Sequence, residues 1–211
     1  MTADPAEVTA RRRYDNSRRS EQAAVTRDRI IDAACELVRE SDVRDWRGVT
    51  VAATAERAGV SARTVYRHFT SEVGLREAVM AAMEQRAGID LARLSLDGVA
   101  VAAARIFAQV GAGPRGTPSV EPDPVLTAAG ARQRDALVAA VSEAAADWTE
   151  EQRIAAAAVL DVLWSPAAYE RLLGNWQLDP AAAERALTWA VRVVESAVRS
   201  GTAPVDNTTT S

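Results

Sequence analysis

Residues between Thr50 and Phe69 have the types and the spacing that suit contact with a nucleic acid. Ser61 can cap a helix whose first outward turn is small, polar or basic. Hydroxyl and guanidinium groups hydrogen-bond base edges and phosphates, and small side chains let a helix enter the major groove closely. The pattern predicts a recognition surface formed by Ser61, Ala62, Arg63, Thr64, Tyr66, Arg67 and His68.

Two short helices must position this surface. Thr50 can cap the first helix, and Gly59 can end it in the left-handed conformation that glycine adopts without strain. Ala55 is small enough for a close helix crossing, and Val65 gives the second helix a buried aliphatic side chain one turn in. Together these residues indicate a helix-turn-helix over residues 50–69.

The stretch Thr26–Met83 resembles the DNA-binding domain of the TetR (tetracycline repressor) family of bacterial regulators. Two runs carry the likeness, Ala55-Glu56-Arg57-Ala58-Gly59-Val60-Ser61 and Tyr66-Arg67-His68-Phe69. The resemblance implies that Thr50, Tyr66 and His68 bind backbone phosphates and that residues 61–64 face base edges. It makes Arg63 the best candidate for a bidentate contact to guanine.

Two residues depart from the family pattern. Glu72 stands where the family usually has a lysine that contacts phosphate, and a carboxylate there repels phosphate although it suits a helix N-terminus. Thr54 replaces a customary aliphatic residue of the first bihelical helix, which is expected to loosen packing. Both departures bear on the strength of DNA binding.

The N-terminal part is predicted to consist of a basic arm and a head. Residues 1–24 lack apolar periodicity and are predicted to be flexible, while residues 25–86 form the DNA-binding domain. Seven arginines lie between Arg11 and Arg29. They are either a solvated tail or a further contact with phosphates or the minor groove.

The rest of the chain predicts an all-α body for ligand binding and dimerisation at residues 87–200. Alanine makes up about a fifth of the chain, and apolar periodicity predicts helices at 97–110, 124–146, 150–164, 166–174 and 179–199. Residues 111–124 are rich in glycine and proline and are predicted to be a mobile lid or a disordered loop. Residues 201–211 are predicted to be a disordered tail.

Aromatic and polar side chains in the body mark a candidate effector pocket for a hydrophobic or aromatic molecule. For each aromatic residue, ordinary core packing is the alternative. The candidate residues are Phe107, Gln109, Trp148, Asp161, Trp164, Tyr169 and Asn175.

The last predicted helix is apolar on two sides, which indicates a partner helix from a second copy of the chain. Trp189 and Val193 lie on one of these sides. The other side is the candidate dimer seam and carries Leu187, Ala190, Val191, Val194 and Val198.

Several functional classes find no support in the sequence. A single histidine and the single Cys35 make a zinc site or a disulfide implausible, and we expect no cofactor. No catalytic triad or phosphate-binding loop is recognisable, so we expect no enzyme. No signal peptide or membrane span is apparent, and we expect a cytoplasmic protein.

The sequence therefore predicts a dimeric, ligand-responsive regulator, most often a repressor in the family that it resembles. Two heads would bind a near-palindromic double-stranded operator in major grooves about 34–36 Å apart, and a small hydrophobic effector would release them. Two alternatives stay open. One is a small-molecule-binding protein with weak operator affinity, motivated by Glu72, and the other is a partner-binding adaptor, motivated by the apolar last helix.

Overall fold

The computed structural model describes residues 5–40, 46–110 and 123–204, and within these ranges it is helical with no strand. The all-α fold class is therefore confirmed. Three short 3₁₀ turns accompany the helices, at Trp46–Gly48, Leu91–Arg93 and Leu96–Gly98. The α-helices are α1 (Pro5–Glu40), α2 (Val51–Ala58), α3 (Ala62–Phe69), α4 (Glu72–Arg86), α5 (Val99–Val110), α6 (Pro124–Ala144), α7 (Glu150–Trp164), α8 (Pro166–Asn175) and α9 (Pro180–Arg199).

Helices α1–α4 pack into a head around their own apolar core. Ile30 and Val38 of α1 are buried with Val65 of α3 and Val79 of α4. Cys35 lies in the same core, and its burial raises the pKa of the thiol. Cys35 is thus a small buried residue of the head core.

Helix α1 begins far earlier than the sequence pattern predicts. We expected a flexible arm over residues 1–24, but the helix extends from Pro5 through this segment, and residues 19–25 are exposed to solvent. The segment after Pro5 contains no further proline and no glycine, and it is rich in alanine, arginine and glutamate, which favour helix without needing an apolar face. Residues 5–24 are therefore helical, the flexibility of this arm stays a prediction, and residues 1–4 lie outside the described ranges.

Helices α5–α9 form a larger body with a second core. Phe107 of α5, Leu137 of α6, Leu160 of α7 and Val191 of α9 meet there. Side-chain caps fix the helix starts, as at Thr149, which exchanges hydrogen bonds with Gln152 in a capping box. The body helices agree with the predicted ranges to within about two residues.

Two predicted segments cannot be compared with the structure. Residues 111–122, which include most of the predicted loop, lie outside the described ranges, and so do residues 205–211 of the predicted tail. No helix in the described parts of the chain is long and apolar enough to cross a membrane. The described residues also contain no cluster of side chains able to hold a metal ion.

Candidate nucleic-acid interface

The helix-turn-helix is built by three local caps that the sequence predicts. The Thr50 hydroxyl accepts a hydrogen bond from the N–H of Ala53 at 3.1 Å and starts α2. Gly59 ends α2 with φ 63° and ψ 38°, in the left-handed region that suits glycine. The Ser61 hydroxyl then accepts from the N–H of Thr64 at 3.2 Å and starts α3. These caps fix how α3 leaves α2.

The inner sides of α2 and α3 join the core of the head. Ala55 and Val65 are buried, as the spacing predicts for a close crossing. Phe69, the last residue of α3, is also buried. The Arg27 guanidinium of α1 lies 5.2 Å from the centre of the Phe69 ring, a cation–π distance. With its inner side fixed in this way, α3 turns its other side to solvent.

The outer side of α3 carries the predicted recognition residues. Arg63 and Arg67 are exposed, and neither forms a hydrogen bond or ion pair within the described part of the chain. Tyr66 is 51% exposed, so its ring does not pack on the first helix with only its hydroxyl in solvent. Ser61 and Ala62 are also exposed, whereas Thr50, Thr64 and His68 are half-buried.

The His68 imidazole is less accessible than a residue that binds phosphate would need to be. Its Nε2 is enclosed by protein and has no hydrogen-bond partner within the described residues. Burial lowers the pKa of the imidazole, and the positive charges of Arg67 and Arg27 lower it further. The ring is therefore neutral at pH 7. The phosphate contact of His68 stays a prediction, and Nε2 can make it only if the surroundings shift on binding.

Glu72 is held by two internal hydrogen bonds. Its Oε2 accepts from the N–H of Val51 at 3.1 Å, and its Oε1 accepts from the Arg76 guanidinium at 2.7 Å. The expected repulsion of phosphate by Glu72 stays a prediction, and Arg76, which also binds Asp123, compensates the charge of Glu72 only in part. This pair is missing from the sequence-based expectations, although the i,i+4 spacing of Glu72 and Arg76 is a signal that could have indicated it.

Thr54 lies fully buried between the helices of the head. Its hydroxyl has no hydrogen-bond partner among the described residues. The site is therefore closed rather than open, but it contains a polar atom that is removed from water without compensation. The expected loosening of packing at Thr54 stays a prediction, and the structure adds the cost of an unpaired hydroxyl.

The body brings most of the predicted effector residues into its core. Phe107 and Tyr169 stack with ring centres 5.1 Å apart and an angle of 8° between the rings. Trp148 and Trp164 belong to the same core, and the Trp164 Nε1 has no acceptor within the described ranges. A buried donor without an acceptor is the kind of group that a polar ligand atom could satisfy.

The polar candidates of the body behave differently from one another. Asp161 is half-buried and accepts a hydrogen bond from Gln133 at 2.9 Å. Asn175 is exposed at the end of α8, apart from the buried candidates, and its role stays a prediction. The side chain of Gln109 lies outside the described residues.

A groove of about 420 Å³ opens between α4 and α6. Apolar side chains form most of its walls, and Glu77, Glu84 and Arg132 lie at its edge. None of the predicted effector residues lines it. The groove is thus separate from the core of the body, where the predicted effector residues lie.

The predicted dimer seam of α9 faces mainly the core of its own body. Leu187, Val191 and Val198 are buried in the core of the body, and Ala190 and Val194 are half-buried beside them. The exposed side carries Trp189, which is 69% exposed, and Val193. The neighbouring helix α7 presents further exposed aliphatic residues, namely Ile154, Val159 and Val162. The larger aliphatic stripe of α9 covers its own body, so the other apolar stripe is left outward.

Comparison with known proteins identifies the N-terminal part. Residues 30–79 match a protein-family model described as bacterial regulatory proteins, tetR family. The match begins within α1, includes all of α2 and α3, and ends within α4. Searches of curated proteins and of solved structures found no significant match.

Proposed function

The chain belongs to the TetR family of transcriptional regulators, and on that basis we propose that it is a dimeric repressor whose operator binding is relieved by a small hydrophobic effector. The observation that carries the proposal is the outer side of α3, where the exposed guanidinium groups of Arg63 and Arg67 have no partner within the described residues. Unpaired arginines on a helix that is fixed by caps and core contacts are prepared to contact DNA without losing an existing ion pair.

The roles of the α3 residues follow from their positions. Ser61, Ala62, Arg63 and Thr64 form the first turn, which enters the major groove, and Arg63 reaches the O6 and N7 atoms of a guanine. Tyr66 and Arg67 lie one turn further along and bind phosphates, together with Thr50 at the start of α2. His68 contributes a neutral N–H donor at most. Phosphate contacts set the orientation, while Arg63 supplies base preference.

Dimerisation is proposed to bury the exposed apolar side of α7 and α9. Trp189 and Val193 are exposed on α9, which packs against α7 with its own exposed aliphatic residues, and a second copy related by two-fold symmetry presents the same residues in return. The two heads would then reach major grooves about 34–36 Å apart, which requires a near-palindromic operator. This face also explains the apolar last helix without a separate adaptor partner.

The effector is proposed to bind within the body, beside the Phe107–Tyr169 stack. Support comes from Trp164, whose buried indole N–H has no acceptor among the described residues and could donate to a polar atom of the effector. An effector lowers operator affinity only if it binds the DNA-incompetent arrangement of the heads more tightly. By reciprocity, operator DNA weakens effector binding.

Glu72 now gives less support to the alternative of a small-molecule-binding protein with lost operator affinity. That alternative required a free carboxylate next to the DNA backbone. The carboxylate instead binds Arg76 and the N–H of Val51. Arg76 also binds Asp123, so the three side chains together keep one formal negative charge, but the Glu72 carboxylate is engaged in internal hydrogen bonds.

A comparison of Arg63→Ala with Arg67→Ala tests the base-reading role, because each variant removes one exposed guanidinium from the same helix. Both variants are selected against a library of random duplexes and measured at several salt concentrations. We expect Arg67→Ala to lower the salt dependence by about one phosphate contact, because Arg67 is assigned to a phosphate. Only Arg63→Ala should relax base preference, with a loss of roughly 1–3 kcal/mol on the preferred sequence. Equal losses on every sequence from Arg63→Ala would contradict the assignment.

A further inference from the structure

One arginine connects the body with the start of the helix-turn-helix. Arg76 of α4 donates from Nε to the carbonyl oxygen of Val49 at 3.1 Å and from Nη2 to Glu72 at 2.7 Å. Its third contact runs from Nη1 to Asp123 at 2.8 Å. The side chains of Arg76 and Asp123 are only 14% and 8% exposed, so water screens this pair little.

The contacts of this group surround Thr50. Arg76 holds the carbonyl of Val49, the residue before Thr50, and Glu72 holds the N–H of Val51, the residue after it. Thr50 itself caps α2 and is the residue assigned to a DNA phosphate. The backbone is thus fixed on both sides of this cap by a guanidinium and a carboxylate that also bind each other.

Asp123 provides the body's side of this contact between the body and the head. Its Oδ1 accepts from the N–H of Val125 at 2.8 Å and caps α6, while its Oδ2 binds Arg76. One carboxylate therefore holds the first turn of a body helix and the guanidinium of a head helix. Val125 supports the junction by packing into the apolar core of the head.

We propose that Asp123 is a positioning residue of the DNA-binding site, which it serves through Arg76 and Glu72 although it belongs to the body. This inference rests on the proposed function and names a route by which the body controls one phosphate contact. When Asp123 is withdrawn, Arg76 loses one of three acceptors and no longer holds Glu72 and Val49 in place. The cap at Thr50 then loosens, and the free energy of phosphate binding must include the cost of ordering it again.

A second ion pair between the same two helices provides a matched control. Arg132 of α6 donates to Glu84 of α4 at 2.8 Å, but these side chains are 50% and 28% exposed and contact no residue next to Thr50 in the described structure. If head–body adhesion alone mattered, loss of either pair would have the same effect on DNA binding. If Asp123 positions the α2 cap, only its own pair matters.

The first test measures amide hydrogen exchange of the free full-length chain by NMR. Asp123→Asn keeps an oxygen that can cap α6 but removes the charge that binds Arg76. We expect exchange at Val51 to accelerate by roughly three- to tenfold, as for the loss of one ordinary hydrogen bond. The N–H of Gly74, which is capped by Ser71 at 3.0 Å, should be unchanged, and so should Val51 in Arg132→Met. Unchanged exchange at Val51 in Asp123→Asn overturns the inference.

The second test is a double-mutant cycle that measures DNA affinity. If Asp123 only stabilised the fold, its loss would weaken DNA binding equally with and without the Thr50 hydroxyl. The probe is a random-sequence duplex of roughly 30 base pairs, since phosphate contacts do not depend on sequence. We expect Asp123→Asn to weaken binding by roughly fivefold when Thr50 is present and by less than about twofold in the Thr50→Val background. Equal factors in both backgrounds, or an equal loss in Arg132→Met, would overturn the inference.

Two further outcomes separate this inference from the function on which it rests. If the wild-type chain binds no DNA, the proposed function fails, and with it any role of Asp123 in DNA contact. If the wild-type chain binds DNA and Asp123→Asn binds equally well, the inference alone fails. Should Asp123→Asn not fold, Arg76→Lys replaces it, because a single ammonium cannot hold three acceptors in one plane; the same exchange and affinity changes are expected.

Discussion

At the scale of single residues, Thr54 contains a buried hydroxyl that has no partner within the described residues. Thr54→Val removes this polar atom and nearly keeps the side-chain shape, so we expect the free energy of unfolding to rise by about 1 kcal/mol and the Tm by about 2–4 °C. Thr64→Val on the neighbouring helix is the control, because its hydroxyl lies 2.9 Å from that of Ser61 and is lost at a cost. A lower Tm for Thr54→Val than for the wild type would contradict this account.

Glu195 makes body stability depend on pH. The carboxylate of this α9 residue is buried and accepts from the N–H of Ala100, and burial raises its pKa more than that hydrogen bond and Arg192 lower it. The folded state therefore retains the proton to a higher pH than the unfolded chain, and stability falls as the pH rises above the ordinary range of glutamate. Glu195→Gln keeps an acceptor without the charge.

We expect Glu195→Gln to have a higher free energy of unfolding than the wild type at pH 7, and the difference to shrink towards pH 4.5. Urea denaturation at the two pH values measures this difference. Glu184→Gln, on the same helix, controls for a general effect of removing one acidic charge from α9. A difference of the same size at both pH values would show that the charge of Glu195 is not responsible.

At the scale of elements, two glycines allow the effect of a positive φ to be distinguished from the effect of steric room for a side chain. Gly59 ends α2 with a positive φ, whereas Gly174 lies in α8 without one, and an added Cβ would meet no atom within 4 Å at either position. We expect Gly59→Ala to cost about 1 kcal/mol of stability through the left-handed backbone alone. Gly174→Ala should be neutral or stabilise by up to about 1 kcal/mol. Thermal unfolding of both variants compares them, and equal effects would exclude the left-handed turn as the cause.

The sequence predicts elements well where local chemistry determines them. The caps at Thr50 and Ser61 and the turn at Gly59 depend on neighbouring residues only, and they are found as predicted. The first part of α1 could not be predicted from periodicity, because a helix that is polar on all sides has no apolar stripe. For α9, two apolar stripes are visible in the sequence, but only the packed body decides which one turns inward.

The same distinction between local and long-range interactions applies to the candidate site. The exposure of Arg63 and Arg67 follows from the helical period once Val65 and Phe69 are placed inside. The bond between Arg76 and Asp123 joins residues that are 47 positions apart. No local pattern indicates it, because it depends on how the body meets the head.

At the scale of the whole molecule, the exposed side of α7 and α9 is the face that we propose for dimerisation. Val193→Glu places a charge in the proposed dimer face and should convert the dimer to a monomer in light scattering at micromolar concentration. Val101→Glu is the control, since this residue of α5 is equally exposed but lies outside that face. A dimer that persists in Val193→Glu would contradict the proposed face.

Operator recognition is tested most directly by incubating the purified chain with sheared DNA from its source genome and sequencing the retained fragments. The account predicts a sharply enriched near-palindrome whose half-sites lie about one helical turn apart, and loss of the enrichment in Arg63→Ala. Retention that is independent of sequence, or no retention at low salt, would contradict the claim that this chain is an operator-binding regulator.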